Sequence, residues 1–455
     1  MSGAAQTLLA HVLGVTWAGL PATAQAAART FLHDTLCVGV AGSSAPDADR
    51  IRAAARQWCG EGGACTLLGR PGERASAPYA AFINAYQIHA QEFDCVHEPA
   101  VAHPMATVVA ALLADAERTG HCSGTDFLAA LTGGVDVVAT LGVAVTTPLR
   151  FFRPATAGIF GSVAALCRLR GLPLDVSLKA FGHALGYAGG TMQAHLEGKP
   201  TLALQVAGAA RSAIEALDLA LAGIDAPLAS IDGPFGYLSL FEGGYDLAQP
   251  LAALGRRWRI EELSWKPFPT GRAAHGAIVA TQALCADRGL RADTLERLTY
   301  RAPPLIARLV GRAAIAGMGP AHARLCLPYL GAVVLLRGAV TLEDFGAERL
   351  ADPATLALAA RIRVEADDNP DPAAFVPALL VARTRDGRRL EHAVTRQLGS
   401  PEWPLTRAQH LDKARACLAF GGLAHVHDAL ARTVDRLDET ADAARALAGA
   451  FDAPR

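Results

Sequence analysis

The run Asn84-Ala-Tyr-Gln-Ile-His-Ala-Gln-Glu-Phe-Asp-Cys-Val-His-Glu-Pro-Ala-Val-Ala-His-Pro-Met105 crowds His89, Glu92, Asp94, His97, Glu98 and His103 into a chain otherwise rich in alanine, leucine and glycine. On its N-terminal side, Ala77 to Ala90 has the apolar spacing of a helix. On its C-terminal side, His103-Pro104 opens another helix, with proline where the missing N–H costs little. The cluster is therefore expected between two helices with apolar faces, not on a free surface loop. Acids and imidazoles in such a setting have pKa values displaced toward those that proton transfer requires.

Outward from this point the chain reads as helix after helix. Leu8 to Val40 forms two helices broken at Gly19-Leu-Pro21, and Thr125–Val145 and Ala155–Arg170 carry almost no charge, as helices buried on most faces do. Leu174 to Gly189 and Leu202 to Gly223 continue the pattern. The character changes after Trp265. Leu295–Ala302, Ala360–Glu365, Ala378–Thr384 and Leu390–Thr395 alternate as strands, and the last two flank the hairpin signal Arg385-Asp-Gly-Arg388. Pro304–Met318 and Leu325–Leu336 are helical, and from Pro404 the helical pattern returns over Arg407–Phe420 and Val426–Ala448. The expected fold is mainly α: a large all-helical domain from residues 1–266 and 401–455, and a smaller α/β (α+β) lid domain from 267–400.

A composition of 51% hydrophobic and 19% charged residues can fill a large core and excludes disorder. The net charge of −1 argues against a nucleic-acid partner. The nine cysteines are scattered and odd in number, which suits a reducing compartment better than a disulfide framework. The first basic residue is Arg29, so the apolar run Leu8–Leu20 lacks a charged signal-peptide start, and its glycines and Pro21 make it a poor membrane span. A cytoplasmic protein with no membrane partner is expected.

A second informative stretch, Ser264-Trp-Lys-Pro-Phe-Pro-Thr-Gly-Arg-Ala-Ala-His275, holds Lys266, Arg272 and His275 on an irregular loop at the expected domain boundary. Binding sites favour such boundaries, and arginine suits carboxylates. In Leu325-Cys-Leu-Pro-Tyr329 a proline inside an apolar helix leaves a kink beside Tyr329, which alone reads as a core aromatic. His183 and His195 read as structural or solvated, and Cys95 as a buried, inert thiol.

Taken together these stretches resemble the MmgE/PrpD family, which includes 2-methylcitrate dehydratase, cis-aconitate decarboxylase and iminodisuccinate epimerase. The resemblance covers nearly the whole chain. It rests on Asn84-Ala85, His89, Asp94, His103-Pro104, the Lys266-Pro-Phe-Pro269, Arg272 and His275 run, and Leu327-Pro-Tyr329, with Leu68-Gly-Arg70 and His33-Asp-Thr35 as lesser landmarks. It implies an active site between a helical and a smaller α/β domain, a homodimer, and neither metal nor organic cofactor. Glu92 and Asp94 fall on the family's acidic run, with Cys95 and Val96 where an aspartate and a threonine are usual. Two further positions depart: the His-Pro-Thr segment is Arg153-Pro154-Ala155, and a frequent lysine falls near Ala203.

The chemistry so implied is proton transfer at a carbon next to a carboxylate of a small di- or tricarboxylate, by a lyase or isomerase. His103, Asp94, Lys266 and Tyr329 are the expected catalytic residues. Arg272, His275, Arg153, Glu92 and His97 are the expected substrate contacts. Two alternatives stand beside this: a metallohydrolase using His89, Asp94, His97 and His103, and a carboxylate-binding protein without activity on the same scaffold.

Overall fold

The computed structural model describes residues 3–59 and 62–453. Its buried apolar side chains form two separate clusters. The first spans helices between Ala4 and Leu263 and is completed by Ala414–Phe451 of the tail; only Leu325 and Leu342 join it from the intervening segment. The second runs from Phe268 to Val394.

The helical part is built on long apolar helices that bury nearly every face. Ser123 caps Gly124–Val143 by accepting from the Asp126 amide, and this helix packs against Gly158–Leu169. Among the described residues Gly124–Val143 is the one helix long and apolar enough to cross a membrane, and 89% of its apolar window is buried within the fold. The helix Ala22–Gly42 crosses Ala77–Ala90 at very short range. A Cβ on Gly42 would lie 1.8 Å from the Gln87 carbonyl oxygen, so glycine is what permits the crossing two residues before His89.

In the α/β part a four-stranded sheet has the spatial order Ile362–Ala366, Leu295–Ala302, Ala378–Thr384, Arg389–Val394. The first pair is parallel and the other two are antiparallel. The hairpin closes where Arg385-Asp-Gly-Arg388 signalled it, with Gly387 at φ 85°. Helices His275–Arg288 and Leu327–Arg337 pack on this sheet.

Three expected helices are shorter or broken. Pro304–Met318 is helical only over Pro304–Val310, and Gly311, Gly317 and Gly319 accompany the irregular stretch that follows. Val426–Ala448 divides into His427–Asp435 and Ala443–Phe451, the second started afresh by Asp442, which accepts from the Arg445 amide. Ala155–Arg170 divides at Ala157 into Arg153–Thr156 and Gly158–Leu169. One pairing had no sequence signal: Val96–His97 runs antiparallel to Leu263–Ser264. It joins the two polar stretches.

Candidate active site

The Ala77–Ala90 helix ends just after His89, and the chain turns at Glu92, whose φ of 49° puts a non-glycine residue in the left-handed region. The strand pair Val96–His97 with Leu263–Ser264 then brings Lys266 against this turn. Lys266 is fully buried; its Nζ donates to Glu92 Oε2 at 2.8 Å and lies 3.8 Å from Asp94 Oδ1. Asp94 Oδ2 accepts from Nδ1 of both His89 and His103, each at 3.0 Å. The two rings meet edge to face with centroids 4.8 Å apart.

One carboxylate oxygen thus orients two imidazoles, and their surroundings push them in opposite directions. Burial works against a charge on His89, but Asp94 and Glu92 outweigh it and raise its pKa above the ordinary 6.5. For His103 burial prevails, aided by Lys266 and His89 against the pull of Asp94, and the pKa falls below 6.5. Burial alone would raise Asp94, yet His103, His89 and Lys266 hold it well below the usual carboxylate range. Glu92 likewise overcomes burial, through Lys266, His89 and His103, and drops to about 2. Two histidines with pKa values pushed apart over one anion have the form of an acid and base pair.

Two cavities meet here. An inner chamber of about 70 Å³ has His89, Glu92, His103, His195 and Arg272 on its polar side. An outer cavity of about 230 Å³ reaches the exposed Lys199, and the two share His89, Glu92, Leu202 and Leu325. Asp94 and Lys266 stand behind this wall instead of in it.

Arg272 is held rigidly: Nε donates to Glu98 Oε1 at 2.7 Å, and Nη1 donates to the carbonyls of Leu398 at 2.6 Å and Trp265 at 3.2 Å. Its Nη2 is buried and makes no hydrogen bond among the described residues. Arg272 lines the smaller cavity, and this unpaired donor is shielded from solvent within its wall. His275 stands behind it. Its Nε2 is 3.3 Å from the Thr270 carbonyl and its Nδ1 3.4 Å from Arg272 Nη1, and burial followed by Arg272 and Lys266 holds its pKa far down. His275 therefore supports Arg272 as a neutral ring and lines neither cavity, contrary to the substrate contact expected of it.

Three more expected site residues are engaged elsewhere. The Tyr329 hydroxyl donates to the Asp344 carbonyl at 2.6 Å inside the α/β core, because Pro328 starts a helix there instead of kinking one. Arg153 is buried on Glu242, with Nε at 3.0 Å and Nη2 at 3.2 Å, and its Nη1 donates to the Ala100 carbonyl at 2.6 Å. His97 accepts the Ala100 amide at Nδ1, so its Nε2 carries the proton and donates to Glu262 at 2.7 Å. Arg153 and His97 both brace the chain at Ala100, and none of the three lines either cavity.

The structure adds residues outside the expected catalytic and substrate-contact sets. His89 shares Asp94 with His103; its place at a helix end five residues before Asp94 was the available signal. His195, expected to be structural or solvated, stands in the chamber wall with Nδ1 3.3 Å from Arg312 Nη2. Arg324 is fully buried, stacks 3.9 Å from the Phe345 ring centroid, and donates to the carbonyls of Gln91 and Pro269, each at 3.0 Å. Lys413 of the tail helix reaches Asp34 at 2.8 Å and the Phe93 carbonyl at 2.9 Å, behind the turn. Cys95 is buried with its thiol pKa raised, in keeping with an inert role.

His89, Asp94 and His103 also have the composition of a metal site, with ligand atoms within 4.8 Å of one another. Both Nδ1 atoms face Asp94 Oδ2 at hydrogen-bond distance, 3.0 Å each. The fourth ligand of a metallohydrolase, His97, is held by Glu262 and Ala100. In this structure His89, Asp94 and His103 are joined as a hydrogen-bonded relay through Asp94 Oδ2.

Family comparison agrees with the landmarks along the chain. The MmgE/PrpD N-terminal domain matches residues 6–250 and the MmgE/PrpD C-terminal domain residues 268–438. Cis-aconitate decarboxylase of Mus musculus is 26% identical over 394 residues, covering 83% of this chain and 79% of that protein. Cis-aconitate decarboxylase of Homo sapiens is 29% identical over 315 residues, covering 66% of this chain and 64% of that protein. The chain belongs to the MmgE/PrpD family.

Proposed function

We propose that this protein is an enzyme, a lyase or isomerase, that moves a proton at a carbon next to a carboxylate of a small organic acid, using side chains and no cofactor. The observation that carries the reading is the sharing of Asp94 Oδ2 by His89 and His103, two histidines in the wall of a chamber that Arg272 also lines. Asp94 takes the Nδ1 proton of His103 as a hydrogen bond, which leaves the Nε2 lone pair as base. His103 removes the proton, the electrons move toward the carboxylate, and Arg272 stabilises the growing charge. His89, held protonated by Asp94 and Glu92, supplies a proton to the leaving group or to a carbon. In this reading His89 stands among the catalytic residues in place of Tyr329.

The same pair serves elimination, epimerisation, or protonation of a carbon that has lost CO2. The activity in the relatives' name, decarboxylation of cis-aconitate, is one of these. The test is incubation of the full chain with a panel of small carboxylic acids in deuterated water, followed by NMR. Deuterium entering a carbon next to a carboxylate is the expected result. No exchange with any acid of the panel, together with measurable binding, would leave a carboxylate-binding protein without activity instead.

Because its hydroxyl is committed to a carbonyl in the α/β core, Tyr329→Phe is expected to cost about 1 kcal/mol of stability in urea unfolding. The exchange rate should not change. A large rate loss in a folded Tyr329→Phe variant would return Tyr329 to the reaction.

A further inference from the structure

We infer that Lys413, with Asp34, is a positioning residue for the reaction: by holding the Phe93 carbonyl it sets the Asp94 carboxylate against His89 and His103. The inference rests on the proposed proton transfer for its effect on rate, while its geometry stands apart from that reading. Asp34 lies on the helix Ala22–Gly42 and Lys413 on the tail helix Arg407–Phe420. Both side chains are buried, and Lys413 Nζ lies 2.8 Å from Asp34 Oδ1 and 3.0 Å from Oδ2. The same ammonium donates to the Phe93 carbonyl at 2.9 Å and lies 4.3 Å from the centroid of the Phe93 ring. That carbonyl belongs to the planar peptide joining Phe93 to Asp94, so a bond to it fixes the plane from which Asp94 departs.

The turn needs such a hold. Glu92 sits at φ 49°, and a non-glycine residue stays in that region only where its surroundings over-determine it. The carbonyls on either side of Glu92 are each held by a buried cation: Gln91 by Arg324 Nη1 at 3.0 Å, and Phe93 by Lys413. Asp94 bonds the two imidazoles through Oδ2, and its Oδ1 makes no hydrogen bond among the described residues. The direction of the carboxylate thus depends on where the backbone puts it. Asp34 balances the ammonium charge in an apolar setting, and an ionised donor bonds a carbonyl more strongly than a neutral one. The same two helices brace the second polar stretch. The ring of Trp265, next to Lys266, packs 4.5 Å from that of Phe31 and 6.5 Å from that of His410.

Two variants of the full chain test this. Lys413→Met leaves Asp34 buried without its cation and should lose stability as well as rate. Asp34→Asn combined with Lys413→Met removes both charges, leaves no ion unpaired, and should fold with an unchanged circular dichroism spectrum. In this double variant the Phe93 carbonyl is free, and Asp94 should sit less closely against both imidazoles. Against burial, Asp94 pulls the pKa of each ring upward, so both rings should titrate at lower pH than in the wild type. Ring-labelled histidine followed by NMR reads this without any substrate, with His89→Gln and His103→Gln to assign the signals. The removed charges are of opposite sign, so a displaced titration reports position more than charge. The deuterium-exchange rate at saturating acid should fall about 10- to 100-fold, with little change in KM. Lys413→Arg keeps a cation and a donor and should recover most of the rate. A double variant with wild-type titrations and exchange, or one that does not fold, would overturn the inference. If the wild type exchanges no acid of the panel, the proton-transfer reading fails, and displaced titrations in the double variant would still support the positioning role.

Discussion

His103→Gln is expected to lower the rate of deuterium exchange by about 10²–10⁴-fold, the range for loss of a positioned general base. Glutamine preserves a polar side chain of similar reach beside Asp94 but has no basic nitrogen. The pH profile gives the sign of the roles. His103 must be neutral to accept a proton and its pKa lies below 6.5, so activity should fall on the acid side of that value. His89 must be protonated to donate and its pKa lies above 6.5, so activity should fall again on the alkaline side. The expected profile is a bell that brackets pH 6.5. Its two limbs belong to the Asp94-linked pair jointly, since the rings interact strongly. His89→Gln should remove the alkaline limb. A bell that persists unchanged in His89→Gln, or a His103→Gln variant that exchanges at the wild-type rate, would break the assignment.

Lys266→Met is expected to be the most destabilising single change near the site, costing about 3–5 kcal/mol, because it leaves Glu92 and Asp94 buried without their cation. Methionine fills much of the same volume, so the loss reports charge more than packing. A second readout separates positioning from mere structure. Lys266 lowers the His103 pKa, so its removal should move the acid limb of the pH profile upward. Lys266→Arg, which keeps the charge, should restore most of the stability and the position of that limb. If Lys266→Met unfolds at the wild-type urea concentration, Glu92 and Asp94 do not depend on this lysine, and the electrostatic account of the turn fails.

The sequence carried a good part of the architecture. Apolar spacing marked Ala77–Ala90 and the neighbouring helices, an alternating pattern marked Leu295–Ala302 and Ala378–Thr384, and Asp386-Gly387 marked the hairpin. It was weaker where an apolar run allowed a helix that local breakers then ended, as at Gly311–Gly319 and before Asp442. At the site it carried residue types: acids, histidines and a cationic loop, with His103, Asp94, Glu92, Lys266 and Arg272 among them.

What the sequence determined by itself was therefore local: which segments are helix or strand, and which of them carry acid, base and cation. Those properties follow from backbone periodicity and side-chain chemistry within a few residues. Partnership was decided only by the tertiary structure. The pairing of Val96–His97 with Leu263–Ser264 sets Lys266 on Glu92, and His89 joins His103 on one oxygen of Asp94. Glu242 captures Arg153, and the Asp344 carbonyl captures the Tyr329 hydroxyl. A buried charge or donor takes the nearest partner that packing offers, across any distance in the chain. The run Asn84–Met105 thus supplied the acids and imidazoles, while the fold chose which two histidines share Asp94 and line a chamber together with Arg272.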